Sequence, residues 1–150
     1  MDRKRMTRIL ARADRRDVAA LAAEIQKTHA PIVVKEPGKT LAMIKMREPV
    51  KESLFYIGET VVCEASVEIG GVRGMAVLMG GDPEKTLDMA IIDAAVNKGV
   101  FTGAATLLAL EKGQLERIKR ENAMHLKTMV NFESMDRGSD DLAADKKTRF

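Results

Sequence analysis

An α+β chain is predicted, and three observations predict it. Val61, Cys63, Ala65, Val67 and Ile69 alternate with Thr60, Glu64, Ser66 and Glu68, the two-residue period of a strand with one wet face. The segment between Asp82-Pro83-Glu84 and Asn97-Lys98-Gly99 is apolar almost all round, as a buried helix is. Ahead of both, Met6, Ile9, Leu10 and Ala13 recur at helical spacing among cations, which marks an amphipathic helix at the amino end. The expected architecture is a small antiparallel sheet built from hairpins. It is packed by amino-terminal helices, a buried central helix and a carboxy-terminal helical segment.

The elements follow in order. After the first helix, Asp14 is placed as an N-cap, with Asp17 in the first turn of a second helix whose stripe is Val18, Leu21, Ala22 and Ile25. That helix fades by Thr28 and His29, ahead of Pro31. Ile32 to Lys35 and Leu41 to Met46 read as two short strands, joined by a type II turn at Glu36-Pro37-Gly38-Lys39. The polar loop Arg47 to Ser53 leads to the alternating strand. Gly70-Gly71 is a two-residue hairpin signal. Val72 to Met79 then returns with apolar residues on both faces, which predicts a central strand.

Asp82 and Pro83 suit the first positions of a helix, and Gly99 suits its end. Within it Leu87, Ala90, Ile91 and Ala94 form one face, and Met89, Ile92 and Val96 cover much of the other. Residues 103–130 read as helical with a break at Gly113, the second half carrying Leu115, Ile118, Leu126 and Met129 beside abundant charge. A single domain over residues 1–138 is expected, followed by a polar, frayed tail over 139–150. A chain of 150 residues with 45% apolar content is large enough for one such core.

Composition narrows the chemistry. Aromatic residues are 3% of the chain and Trp is absent, while Met occurs ten times, so core and partner surfaces rest on aliphatic and thioether groups that adapt in shape. One cysteine, Cys63, excludes an internal disulfide and fits a reducing, cytoplasmic setting. No apolar run approaches the roughly 20 residues of a membrane span, so a soluble, unprocessed chain is expected. Seven of the first 16 residues are Arg or Lys, which offers either a wet helix face or a site that attracts phosphate.

Candidates for chemistry are few. Asp93 sits in the apolar helix, where it is either an acid–base group or a buried polar group bonded to the backbone or to an Arg. Cys63 falls on the inward face of a strand, as an inert core thiol does. His29 and His125 each lack a second ligand at metal spacing, so no metal or cofactor is expected. Gly80 and Gly81 precede a helix end at Asp82, and this is either an anion contact or a plain loop-to-helix turn.

One resemblance spans most of residues 5–138. Ile9-Leu10-Ala11-Arg12-Ala13, then Phe55, Gly58, Glu59, Ala65 and Val67, then Gly74, Gly80, Asp82, Asp93 and Ala94 stand in the order and spacing of one family. Near the end, Thr128, Val130, Phe132, Met135, Arg137 and Gly138 match that family's Thr-x-Val-x-Phe-x-x-Met-x-Arg-Gly phrase. The chain thus resembles the PhnG family, the G subunit of the carbon–phosphorus lyase core complex. It departs where Glu48-Pro49-Val50-Lys51-Glu52 replaces the family's glycine-rich loop, and where Cys63-Glu64 replaces Thr-Arg.

The resemblance implies an accessory subunit without catalytic residues of its own. Such subunits work with the H, I and L types to make α-D-ribose 1-methylphosphonate 5-triphosphate from methylphosphonate and a purine nucleoside triphosphate, in a hetero-oligomer that also involves the J type. Neither membrane nor nucleic acid is implied as a partner. Met129, Phe132, Met135 and Arg137 are expected to dock a partner, and Gly81, Asp82 and Arg137 are candidates for anion contact. Two rival readings stay open: a stand-alone anion- or RNA-binding module that uses the basic amino-terminal helix, and an enzyme with Asp93 or Glu59 as its base.

Overall fold

A computed structural model describes residues 2–130. Four helices, α1 (Arg3–Arg12), α2 (Arg15–Gln26), α3 (Pro83–Lys98) and α4 (Ala104–Lys127), accompany three strands, β1 (Ile32–Arg47), β2 (Leu54–Ile69) and β3 (Val72–Met79). The strands form one antiparallel sheet in the order β1-β2-β3, so the chain is α+β. It divides into two compact units, Met1–Leu115 and Glu116–Phe150, with the boundary inside α4. The first unit holds the sheet, α1 to α3 and the first half of α4. Within the described residues the second holds the rest of α4 and Thr128–Val130.

The core of the first unit lies where α3 meets the sheet. Ala65, Val67 and Ile69 of β2 and Ala76 of β3 are buried against it. Both faces of α3 are covered because α2 packs on the side away from the sheet. Met89, Ala90, Ile91, Ile92, Ala94 and Ala95 are accordingly almost free of solvent. Met6, Ile9 and Leu10 of α1 and Val18, Leu21, Ala22 and Ile25 of α2 complete the cluster, the stripes that helical spacing predicts. Asp14 occupies the N-cap position of α2, although its side chain accepts no capping bond.

The two turns that bound β3 use special backbone geometry. Gly70 and Gly71 both take positive φ, 53° and 81°, as a two-residue hairpin of this hand requires. At the far end Asp82 caps α3, its Oδ1 accepting from Lys85 N at 3.0 Å, with Pro83 in the first turn and Gly99 in the left-handed conformation at the close.

Three expectations are corrected. Ile32 to Met46 is not two strands with a type II turn between them: β1 runs unbroken through Glu36-Pro37-Gly38-Lys39, and Gly38 does not take the positive φ such a turn needs. Pro37 is tolerated because β1 is an edge strand, and the irregularity appears as register shifts around Lys35 and Gly38. β3 is an edge strand and β2 the central one; β3 is apolar on both faces because Ala76 faces the core while Met75, Val77 and Met79 face solvent. Lastly, α4 passes Gly113 without a break, since one glycine costs a helix interior only about 1 kcal/mol.

Past the end of β3 the sheet narrows to two strands. Pairing between β2 and β3 stops at Val62 and Met79, whereas β1 accompanies β2 down to Leu54. On this ribbon Leu41, Met43, Leu54, Tyr56 and Ile57 are each more than half exposed.

Candidate functional site

Asp93 gathers three elements at one point. It is 4% exposed on α3, and Arg3 of α1 grips it with two bonds, Nε to Oδ1 at 2.8 Å and Nη2 to Oδ2 at 2.6 Å. The backbone N–H of Met75 on β3 donates to Oδ2 at 3.0 Å, and Asn97 Nδ2, one helical turn on, donates to the same oxygen at 3.3 Å. The carboxylate holds the Arg3 guanidinium above its ordinary range, first through this hydrogen bonding and then through charge attraction. A fork of this kind is the strong geometry for an Arg–carboxylate pair. All of Asp93's acceptor capacity faces the protein, which is the bonding of a joint and not of an acid–base group. Glu59, the other rival base, is exposed on β2 opposite Met43.

A second internal bond network was missed in the sequence. Lys85, 8% exposed in the first turn of α3, donates to Ala13 O at 2.7 Å and Ala11 O at 2.9 Å. Its ammonium thereby satisfies carbonyls at the end of α1, where a cation also suits the helix dipole. Spacing held a signal for it. Lys85 shares a face with Met89 and Ile92, and a cation on an apolar stripe is a cation with a buried partner. Arg3 had the same signal, lying three and seven residues before Met6 and Leu10 on the covered face of α1.

Asp88 on α3 is the one described carboxyl whose range rises. Partial burial lifts it, Arg15 opposes the lift, and Asp82 adds to it. Because the folded chain holds this proton more tightly than the unfolded chain, Asp88 favours folding below the ordinary value of 3.8, and that contribution is lost as pH rises through the higher folded value. Relative to the protonated carboxyl, the charged form present at neutral pH disfavours the folded chain, since burial costs it hydration. Asp88→Asn is therefore expected to raise the urea midpoint at pH 7 while leaving it nearly unchanged at pH 3, and equal gains at both pH values would show that burial of the charge is not the cause.

The remaining sites are soon placed. Cys63 is fully buried. Gly81 and Asp82 stand at the α3 end, where Asp82's carboxylate accepts from the helix amide of Lys85 and the Lys39 ammonium lies beside Gly81. The basic amino end is partly neutralised: Arg3 pairs with Asp93, Arg5 with Glu111 through two bonds, and Arg15 with Glu84. This removes support from an anion- or RNA-binding role for that helix. Met129 is 69% exposed. Phe132, Met135 and Arg137 lie outside the described residues.

A cavity of about 220 Å³ lined by Met6, Val96, Phe101 and Leu107 offers apolar walls and no charged group to meet a phosphate. Among the described residues no buried side-chain nitrogen or oxygen lacks a partner, and no three His, Cys, Asp or Glu side chains gather as metal ligands would. No described helix is long and apolar enough to cross a membrane. The outer face of β3 differs from all this: Met75, Val77 and Met79, opposite Ser66, Glu64 and the buried Val62 of β2, are 52%, 46% and 70% exposed.

No curated protein matches the chain significantly. A family model described as phosphonate metabolism protein PhnG matches residues 1–138, which takes in the sheet, all four helices and the residues that carry the resemblance, and the chain therefore belongs to the PhnG family of phosphonate metabolism proteins.

Proposed function

We propose that this chain is an accessory, non-catalytic subunit of a cytoplasmic carbon–phosphorus lyase core complex, acting in phosphonate catabolism with partners of the H, I, J and L types. In that role it supports a transferase reaction that makes α-D-ribose 1-methylphosphonate 5-triphosphate from methylphosphonate and a purine nucleoside triphosphate. The observation that carries the reading is a contrast within one chain. The buried polar side chains, Asp93, Lys85 and Thr86, are committed to bonds that hold the fold, while methionine-rich apolar surface is left open on β3. Adaptable thioether surfaces of this sort suit a permanent partner.

Partner docking is assigned to the outer face of β3 and to the segment from Met129 through Phe132, Met135 and Arg137. The test is co-expression with the other subunits and affinity purification through this one. Val77→Asp with Met79→Asp places two charges on a face that the fold does not use, so the circular dichroism spectrum is expected to persist while co-purification is lost; a chain ending at Lys127 is expected to behave likewise. Retention of all partners by both altered chains overturns the docking assignment. Purine release from a nucleoside triphosphate by this subunit alone overturns the accessory role.

A further inference from the structure

We infer that this chain pairs with a second copy of itself through the open backbone edge of β2 at Leu54–Thr60, giving one antiparallel sheet that runs through a two-fold axis at Ile57. The vacancy is set by strand lengths. β3 ends where Met79 meets Val62, and Gly80 N donating to Val61 O at 3.1 Å is the last bond on that side. From Leu54 to Thr60 β2 is paired with β1 on one side only, and no strand lies on the other among the described residues. Along such an edge, backbone N–H and C=O groups stand ready for another chain.

The three edges of this sheet are treated differently. β1 carries Lys35, Pro37, Lys39 and Lys45, devices that discourage pairing, and β3 is only eight residues long. Leu54-Phe55-Tyr56-Ile57-Gly58-Glu59-Thr60 has neither Pro nor Lys, has one charge, and is rich in aromatic and β-branched residues. The register with β1 also skips Ile57, leaving that residue without a paired neighbour on either side.

The segment complements itself. Antiparallel pairing centred on Ile57 sets Leu54 opposite Thr60, Phe55 opposite Glu59 and Tyr56 opposite Gly58. The single charge never meets its copy, and each aromatic ring has a glycine or a long side chain across from it, arrangements that favour a cross-strand pair. Pairing also covers side chains that the single chain leaves open. Leu54, Phe55, Tyr56 and Ile57, each 42–59% exposed in the single chain, gain cross-strand neighbours in this register.

Sedimentation of the isolated full-length chain at micromolar concentration tests this. A dimer is expected, and Ile57→Lys, which sets two like charges face to face at the axis, is expected to raise its dissociation constant ~10-fold or more with an unchanged circular dichroism spectrum. Mild oxidation of Ile57→Cys is expected to give a covalent dimer, because opposed Cα atoms in an antiparallel pair lie within disulfide reach. Val50→Cys at the exposed turn is the control and is expected to stay monomeric under the same treatment. A monomeric parent chain, a dimer indifferent to Ile57→Lys, or equal crosslinking at both positions each overturns the proposal. The phosphonate reading stands apart from it: a monomeric chain that still co-purifies with the other subunits sinks the dimer alone.

Discussion

Gly74→Val is expected to leave no folded protein, and Gly74→Ala to cost more than about 3 kcal/mol, the upper end of what overpacking a core costs. The cause is a backbone-to-backbone approach. A Cβ at Gly74 on β3 would collide with the backbone nitrogen of Ala94 and would sit 2.5 Å from Ala90 O and 2.6 Å from Ala94 Cα on α3. No side chain is there to rotate away, so the helix must lift off the sheet. That movement would open the cluster of Ala65, Val67, Ala90 and Ala94 to water. Gly58 provides the contrast, since a Cβ there meets nothing within 4 Å. Urea unfolding of the two alanine variants decides the matter: Gly58→Ala is expected to keep the parental midpoint, and a Gly74→Ala chain that also keeps it would mean that α3 does not lie against β3 in this way.

Asp93→Ala is the next largest expected effect, a loss of about 3 kcal/mol. Removing the carboxylate leaves the Met75 N–H without its acceptor and the Arg3 guanidinium without its fork. Asp93→Asn is expected to cost less, because an amide oxygen still accepts from Met75 N, although the charge opposite Arg3 is gone. An exposed pair such as Lys27 with Glu24 is worth at most about 1 kcal/mol, and Lys27→Met is the control that separates a joint from a surface contact. Denaturant midpoints in the order parent, Asp93→Asn, Asp93→Ala support this account. Asp93→Ala with the parental midpoint would show that α1 and β3 are held to α3 by packing alone.

Much of the fold was legible in the sequence, and the errors share one origin. Helical stripes at Met6, Ile9 and Leu10, the end signals at Asp82 and Gly99, and the Gly70-Gly71 turn are local patterns, and each appears where spacing placed it. Strand order is not local. β3 looked central because Met75, Val77 and Met79 are apolar, and hydrophobicity alone does not tell an inner face from one kept open. Glu36-Pro37-Gly38-Lys39 looked like a turn for a similar reason, since a proline and a glycine inside an edge strand cost little and leave the ladder merely irregular. For the candidate surfaces the division is the same: the Met-rich composition was visible, but the outer face of β3 and the bare edge at Leu54–Thr60 were not.

The sequence by itself determined the α+β class, α1, α2 and α3 with their buried stripes, the first hairpin turn of β3 and, through the residues that match along 1–138, membership of a phosphonate metabolism family. These depend on neighbours within a few positions or on ordered motifs along the chain. Only the tertiary structure decided which strand is central, that Arg3 and not another of the amino-terminal cations grips Asp93, and that Lys85 closes α1. Those outcomes depend on which surfaces face each other across 70 to 90 positions of sequence: helical spacing places Arg3 and Lys85 on covered faces, but packing geometry and the need to satisfy every buried donor and acceptor choose their partners.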